Sequence, residues 1–305
     1  MSDARWPTAA DWLAAGSPSR QADLALLGVP THLTSISPTR ADTTPDAVRR
    51  HLGRLSTWSA TRQVDLSSLT AADHGDVADP DEEVHGEQRV RDSAMRAAAV
   101  VQLLVALGGD NSATCPVMAG VCGDTLTSTA GLVTLDAHHD FREGPEPGKH
   151  SNGTPVRRLV DAGLDPRRVV QVGIADWANS RSYYDEVIER GITVITLAHV
   201  RERGIEACVA DALAVAGAAG GPVHVDLDLD VCDRAVAPAC PASLPGGLSA
   251  HEILAAAYLA GRDPLVRSID ITEVDAMRDA HDDRTVRLAA MCVLEAAAGL
   301  AQRPR

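Results

Sequence analysis

The sequence predicts an α/β protein whose parallel sheet is covered by helices on both faces. Short apolar runs alternate with helical segments along nearly the whole chain, and two of these runs end abruptly in groups of acidic residues. Strands and helices that alternate so regularly form parallel sheets. The 305 residues, 45% of them hydrophobic, are enough for one large core. We therefore expect a single domain over residues 1–305, with residues 1–22 as an N-terminal extension.

The strands are predicted from apolar and β-branched runs that are bounded by turn residues. They fall at residues 24–29, 63–66, 103–107, 131–135, 169–173, 192–197 and 265–272, and a further strand begins at residue 223. Residues 74–79 are predicted to be a polar connection. The sequence Gly108-Gly-Asp-Asn-Ser112 permits a sharp turn from a strand into a helix.

The helices are predicted from apolar spacing and from their start signals. Thr44 is a suitable N-cap with Pro45 behind it, and Ser249 with Glu252 forms a capping box. Asn152 to Pro155 marks another helix start, where free backbone N–H groups favour an anion. Further helices are predicted at residues 82–101, 182–190, 205–218 and 285–301.

Composition excludes several classes of function. The net charge is −14 and the basic residues are dispersed, so we expect binding neither to nucleic acid nor to a membrane. The six cysteines form no CxxC pair and are predicted to be reduced core residues. The N-terminus lacks an apolar signal core, and no uncharged stretch is long enough to span a membrane, so we expect a cytoplasmic protein.

Two strand ends supply candidate metal ligands. After Leu135 come Asp136, His138 and Asp140, which an extended chain would point to one side. After Val223, aspartates alternate with apolar residues at positions 226, 228 and 230. Buried acids need a counter-cation, and oxygen-rich ligands with one imidazole suit Mn²⁺ better than Zn²⁺. The pattern predicts a hydrolytic site in which two metal ions activate one water.

With these motifs the chain resembles the ureohydrolases, the family of arginase, agmatinase and formimidoylglutamase, over residues 24–301. The family's Gly-Gly-Asp-His-Ser, Asp-Ala-His-x-Asp and Asp-x-Asp motifs correspond to the sequences that begin at Gly108, Asp136 and Asp228. Further matches are Ala237-Pro-Ala, Pro245-Gly-Gly-Leu and Asp270-Ile-Thr-Glu-Val-Asp. The resemblance implies a three-layer α/β/α fold with about eight parallel strands and a site for two Mn²⁺ ions.

The resemblance also implies roles for individual residues. Asp136 and Asp228 bridge the ions, Asp140 binds the first ion, and His138 with Asp230 binds the second. This alignment leaves Asp226 outside the ligand set. Asp140 and Glu273 are the predicted catalytic residues: Glu273 pairs with the cationic amidine, and Asp140 helps to hold the tetrahedral intermediate after water attacks the C=N carbon.

The chain departs from arginase and agmatinase at two positions. Asn111 stands where those enzymes have a histidine ligand, and its amide oxygen is predicted to hold the first ion more weakly than imidazole. Asn152 stands where members that hydrolyse guanidino groups have a histidine, and it is a predicted substrate-binding residue. Both changes favour formimidoylglutamase over arginase.

Arg142, Arg157 and Arg181 are the remaining candidate substrate-binding residues, because a dicarboxylate substrate needs cationic donors. The leading hypothesis is a Mn²⁺-dependent formimidoylglutamase that forms glutamate and formamide in histidine breakdown. Agmatinase, another guanidino-acid hydrolase and a metal-poor, non-catalytic family member are the alternatives. A homo-oligomer is compatible with the sequence, which leaves open whether the protein is a monomer, trimer or hexamer.

Overall fold

The computed structural model describes residues 5–146 and 149–304. Within these ranges the chain forms ten β-strands: β1 Ala22–Val29, β2 Trp58–Ser59, β3 Val64–Asp65, β4 Ala71–Asp76, β5 Val101–Gly108, β6 Gly131–Leu135, β7 Val169–Ile174, β8 Thr193–Thr196, β9 Val223–Asp228 and β10 Val266–Thr272. Eight of them form a parallel sheet in the order β4-β1-β5-β10-β9-β6-β7-β8. The predicted α/β class is confirmed.

Ten α-helices accompany the strands over the same described ranges: α1 Ala9–Ala14, α2 Thr44–Leu52, α3 Gly86–Ala98, α4 Thr114–Cys122, α5 Pro155–Asp161, α6 Arg181–Glu189, α7 Leu197–Arg203, α8 Ile205–Ala216, α9 Ala250–Arg262 and α10 Arg284–Ala301. None of the helices among the described residues is long and apolar enough to cross a membrane.

The strands bury both of their faces, which explains their nearly continuous apolar sequences. In β1, Leu24 and Leu26 pack in the core beneath α2, α8, α9 and α10. Ala25 and Leu27 point to the other side, where α3 and α4 lie, and a third cluster continues that layer under α5 and α6. The protein is therefore the three-layer α/β/α sandwich that the resemblance implies.

The edges of the sheet differ from the sequence prediction. Residues 71–76 form the edge strand β4, although part of this segment was predicted to be a connection. Its polar residues are tolerated because an edge strand is partly exposed, and Arg49 pairs with Asp73 and Asp76 there. The strand predicted at residues 63–66 is only β3, which pairs with β2 outside the main sheet.

Helix starts are predicted with mixed success. Ser249 and Glu252 form the predicted capping box at the start of α9. Thr44 is not an N-cap: it is the first residue of α2, and its hydroxyl donates to the carbonyl of Val274. The prediction rested on the Thr-Pro pair alone. The partner of the Thr44 hydroxyl is Val274, which is far away in the sequence and cannot be seen from that pair. All six cysteines are free and buried, as predicted.

Candidate metal centre and its cavity

The candidate site lies at the carboxyl ends of four neighbouring strands, β5, β10, β9 and β6. The turn after β5 carries Asn111, and its Gly109 is required because a Cβ there would collide with the backbone of Thr31. The carbonyl of Gly109 accepts from the backbone of Glu273, which follows β10, at 2.9 Å. Parallel strands thus bring together residues that are far apart in the sequence.

One acid–imidazole group is preformed. Nδ1 of His138 lies 3.0 Å from Oδ2 of Asp230 and 3.4 Å from Oδ1 of Asp136. Ligand atoms of these three residues all lie within 4.8 Å of one another, close enough to hold one metal ion. Burial lowers the pKa of His138, yet Asp230 and Asp136 together raise it to about 12, so the metal-free imidazole is a cation.

The segment from Asp136 to Asp140 converges by turning and not, as predicted, by staying extended. Strand β6 ends at Leu135, and the backbone N–H of His138 then donates to Oδ1 of Asp136 at 2.7 Å. Asp140 adopts a φ of 48°, a conformation that is strained for a residue other than glycine. His139 points away from the acids, and its Nδ1 lies 2.7 Å from Oε1 of Gln171.

The three aspartates of the β9 motif take different places. Asp228 and Asp230 line a cavity, and Oδ1 of Asp228 accepts from the backbone of Asp230 at 2.8 Å. Asp226 lies deeper, fully buried, and does not line that cavity. Its Oδ2 is 3.4 Å from Nδ2 of Asn111, so it contacts the site from below.

Asn111 presents its amide nitrogen to the carboxylates. Nδ2 donates to Oδ2 of Asp140 at 2.7 Å. Oδ1, the atom that the sequence prediction offered to a metal ion, accepts from the hydroxyls of Thr114 at 2.6 Å and Thr272 at 3.1 Å. The structure thus brings Asn111 to the predicted place, but with its oxygen turned away from the carboxylates.

Glu273 is held by two hydrogen-bond donors. Its Oε1 accepts from the backbone of Asn111 and from Nδ2 of Asn152, each at 2.8 Å. Oδ1 of Asn152 accepts from the backbone of Ile36 at 2.9 Å, so this side chain joins Glu273 to the loop that carries Ile36. Glu273 itself has a φ of 63°. Strain at both Asp140 and Glu273 is typical of residues fixed for function.

Electrostatics make this pocket a place for cations. Burial raises the pKa of Asp140 to about 7, and burial together with the charge of Asp110 raises that of Glu273 to about 8. Burial and neighbouring acids also raise the pKa values of Asp136 and Asp228. Without a cation, the group therefore keeps protons that solvated carboxyls would lose.

These residues fit a divalent metal ion. Oδ2 of Asp136 is buried without a hydrogen-bond partner, although acceptor atoms of this kind are almost always paired. The donors are carboxylate oxygens with one imidazole, the set that hard divalent ions prefer. A metal ion would supply the partner for Asp136 and offset the excess of negative charge.

The cavity above the acids has a volume of about 300 Å³, enough for a small molecule. Its floor contains His138, Asp140, Asp228, Asp230 and Glu273, and its walls contain Ile36, Ser37, His139, Phe141, Arg142, Asn152, Gly153, Ala178, Asn179, Ser180, Tyr183 and Ala242. Arg142 is the one arginine or lysine among these lining residues. The cavity therefore combines several carboxylates with one guanidinium, whose charge acts on Asp140.

The other two predicted arginines lie outside this cavity. Arg157 donates to both carboxylate oxygens of Glu186, at 2.9 and 2.6 Å, and to the carbonyl of Phe141. Its guanidinium is therefore already paired within the protein. Arg181 begins α6 with its side chain 90% exposed, and its ion pair within the described part of the chain is with Asp185. Of the three arginines, Arg142 alone lines the cavity.

Several lining residues were missed from the sequence. Asn179, Ser180 and Tyr183 follow β7, whose carboxyl end faces the same edge of the sheet as the metal motifs. Asn179 also binds the loop that carries His138. Its Oδ1 accepts from the backbone N–H of His139, and its Nδ2 donates to the carbonyl of Ala137. The available signal was position: polar residues that follow a parallel strand tend to face the site.

Comparison with known proteins agrees with this geometry. The model of the arginase family matches residues 22–299. A formimidoylglutamase from Halalkalibacterium halodurans is 34% identical over 273 residues, 88% of this chain and 84% of that protein. The crystal structure of a Bacillus subtilis formimidoylglutamase superposes with a TM-score of 0.91 at 29% identity, covering 100% of this chain and 95% of that one. A Trypanosoma cruzi formiminoglutamase structure with Mn²⁺ has the same fold, with a TM-score of 0.87, 24% identity, and coverage of 98% and 100%.

Proposed function

Since the chain belongs to the arginase family, we propose that it is a Mn²⁺-dependent formimidoylglutamase that hydrolyses N-formimidoyl-L-glutamate to L-glutamate and formamide. The observation that carries this substrate is the polarity of the cavity. Its carboxylates suit a cationic formimidoyl group, and the guanidinium of Arg142, which lines the same cavity, suits a carboxylate of glutamate. The similarity to formimidoylglutamases supports the same choice. Such an activity belongs to histidine breakdown.

Two Mn²⁺ ions are part of this proposal. His138 and Asp230 would hold one ion and Asp140 the other, and Asp136 and Asp228 would serve both. Mn²⁺ in a structural relative of the same fold supports the choice of metal. Asn111 would complete the set at Asp140 through oxygen only if its amide turned over. Bound Mn²⁺ supplies a polarised water whose pKa is lowered.

The protein's own groups then position and protonate the substrate. Glu273, held by Asn111 and Asn152, accepts a hydrogen bond from the formimidoyl N–H and keeps the carbon facing the floor. Water adds to the formimidoyl carbon, and the bond from this carbon to the glutamate nitrogen breaks. Asp140 takes the proton from the attacking water and delivers it to the departing nitrogen, so that the products are formamide and glutamate. Nδ2 of Asn111 also donates to Oδ2 of Asp140 and so holds this carboxylate in place.

The test is a parallel assay of the purified protein with Mn²⁺ on formimidoylglutamate, agmatine, arginine and guanidinobutyrate. A carboxylate left unpaired in a binding site costs about 2 to 5 kcal/mol, so formimidoylglutamate should be preferred over agmatine by at least about 30-fold. Arg142→Glu should remove this preference. Arg181→Glu is the matched control, because Arg181 is exposed outside the cavity, and it should leave the preference intact.

Other results would select the alternatives. Agmatine or guanidinobutyrate as the best substrate would make the chain an agmatinase or a guanidino-acid hydrolase and refute the proposed substrate. A protein that stays metal-free after purification with Mn²⁺ and is inert toward all four compounds would be a non-catalytic member of the family.

A further inference from the structure

The amide of Asn111 uses all of its hydrogen-bonding capacity within the protein. A primary amide has two acceptor positions and two N–H groups. Two threonine hydroxyls occupy the oxygen, and Asp140 and Asp226 face the nitrogen at 2.7 and 3.4 Å. A metal ion could bind this oxygen only after the amide had given up these contacts.

The acids decide which way this amide points. The hydroxyls of Thr114 and Thr272 can either donate or accept, so they tolerate the amide in both orientations. In their ionised forms, Asp140 and Asp226 only accept. If the amide turned over, its oxygen would lie against the oxygens of Asp140 and Asp226, and two acceptors would face each other on a buried side.

We propose that Asp226 is a positioning residue: it holds the N–H groups of Asn111 toward the site, and Asn111 in turn holds Asp140. Asp226 does not line the cavity and so does not touch the substrate. Its oxygens lie against Asn111 and the hydroxyl of Thr272, each at 3.4 Å. Asn111 thereby contributes to the metal centre by orienting a carboxylate. The inference rests on the proposed function only for the role of Asp140.

Asp140 needs such a partner because of its backbone. Its φ of 48° is strained, and its carboxylate is buried among other acids. A carboxylate has about four acceptor positions, so Asp140 can accept from Asn111 and still offer oxygen to a metal ion. Partners that orient metal-binding carboxylates typically change the affinity for the metal by about 10- to 100-fold.

The first experiment measures Mn²⁺ binding without substrate, by calorimetry and paramagnetic resonance. Asp226→Asn should weaken the ion at Asp140 by about 10-fold and leave the ion at His138 unchanged. In an Asn111→Ala background the same change should have no further effect, because the link is already broken. Equal weakening in both backgrounds would mean that Asp226 acts directly and would overturn the proposal, as would unchanged binding in Asp226→Asn.

Asp270→Asn is the matched control for buried charge. Asp270 is fully buried and lies opposite Asp226 in the pairing of β10 with β9, but it pairs with His224 and not with Asn111. It should leave Mn²⁺ affinity within about twofold. If it weakened the ion at Asp140 as much as Asp226→Asn, the effect would be one of general charge and the positioning role would be refuted.

A second measurement does not need a metal. Unfolding of the metal-free wild type, Asp226→Asn, Asn111→Ala and the double variant gives a double-mutant cycle. Residues in contact should couple by at least about threefold in the unfolding equilibrium constant. This coupling is expected even if the protein binds no Mn²⁺. Failure to bind Mn²⁺ would refute the proposed function but would not affect this measurement. Additive effects would instead overturn the link between Asn111 and Asp226 alone.

Discussion

The two halves of the metal centre balance their charge in different ways. In the imidazole half, formed by Asp136, His138 and Asp230, a cationic ring lies 3.0 Å from a carboxylate. In the amide half, formed by Asn111, Asp140 and Asp226, a neutral amide donates to two acids. The first half therefore contains a cationic ring before any metal binds, whereas the second offsets its carboxylates by hydrogen bonds and by the raised pKa of Asp140.

This difference predicts how each half responds to a metal ion. An ion that binds the imidazole half must displace the proton of His138, so its binding depends on pH. Burial raises the pKa of Asp140 to about 7, so an ion that binds the amide half displaces a proton only below about that pH. The amide half offers no imidazole, and the oxygen of its amide faces away from the acids.

The largest effect is expected where the two halves meet. Asp228→Ala should remove the carboxylate predicted to bridge both ions, lose at least one of them, and lower activity by at least about 10³-fold, since metal activation supplies several kcal/mol. Elemental analysis and a steady-state assay measure this. Asp226→Ala changes the aspartate two positions earlier in the same strand, and it should keep two ions at saturating Mn²⁺.

The opposite result for Asp226→Ala would break the comparison. If Asp226→Ala also lost an ion at saturating metal, the ligand pair would be Asp226 with Asp228. The amide half would then contain a ligand in the place where the structure has a buried partner of Asn111.

The sequence predicted the fold and the place of the site because both depend on local patterns. Apolar runs that end in acids at strand ends are visible in the letters, and parallel strands bring those ends together. Contacts between distant residues are not visible in this way. Arg157 was predicted to bind the substrate, but its guanidinium pairs with Glu186 outside the cavity. The contact between Asn111 and Asp226 joins residues 115 positions apart.

Local geometry was the other limit. Alternation in the sequence suggested that Asp136, His138 and Asp140 share one side of an extended chain, but they converge through a turn in which Asp140 has a positive φ. Such a conformation is unfavourable for aspartate by itself and exists because the surrounding contacts impose it. The backbone propensities of the residues therefore do not predict this turn.

A second prediction uses the stability of the metal-free protein. The pKa values of Asp140 and Glu273 are raised to about 7 and about 8, chiefly by burial. The folded state then binds more protons than the unfolded state, so stability falls as pH rises from about 4.5 to about 8. The raised pKa of His138 acts in the same direction above pH 6.5. Acids with lowered pKa values act only below this window. Burial lowers the pKa values of His74, His139 and His150, and these groups oppose the fall in stability only up to about pH 6.5.

Differential scanning calorimetry would measure this pH dependence. Without metal, Tm at pH 8.5 should be lower than at pH 5.5 by at least about 4 °C, which corresponds to about 2 kcal/mol. Mn²⁺ should remove the difference, because a cation favours the ionised carboxylates. A Tm that rises over this range without metal would show that the acids are not protonated in the folded protein and would remove the electrostatic contrast between the halves.

The smallest effect is expected from making the two halves alike. Asn111→His should give the amide half a nitrogen ligand, and imidazole binds Mn²⁺ better than an amide oxygen. At limiting metal, occupancy of the ion at Asp140 should rise, with an affinity gain of about 10-fold, or 1.4 kcal/mol. Thr114→Ser, which keeps a hydroxyl on Oδ1 of Asn111, is the control and should leave this occupancy unchanged. Unchanged occupancy in Asn111→His, followed by paramagnetic resonance during titration, would mean that position 111 lies too far from the ion for any side chain there to bind it. The weaker binding of the ion at Asp140 would then be set by Asp140 and by the carboxylates of Asp136 and Asp228.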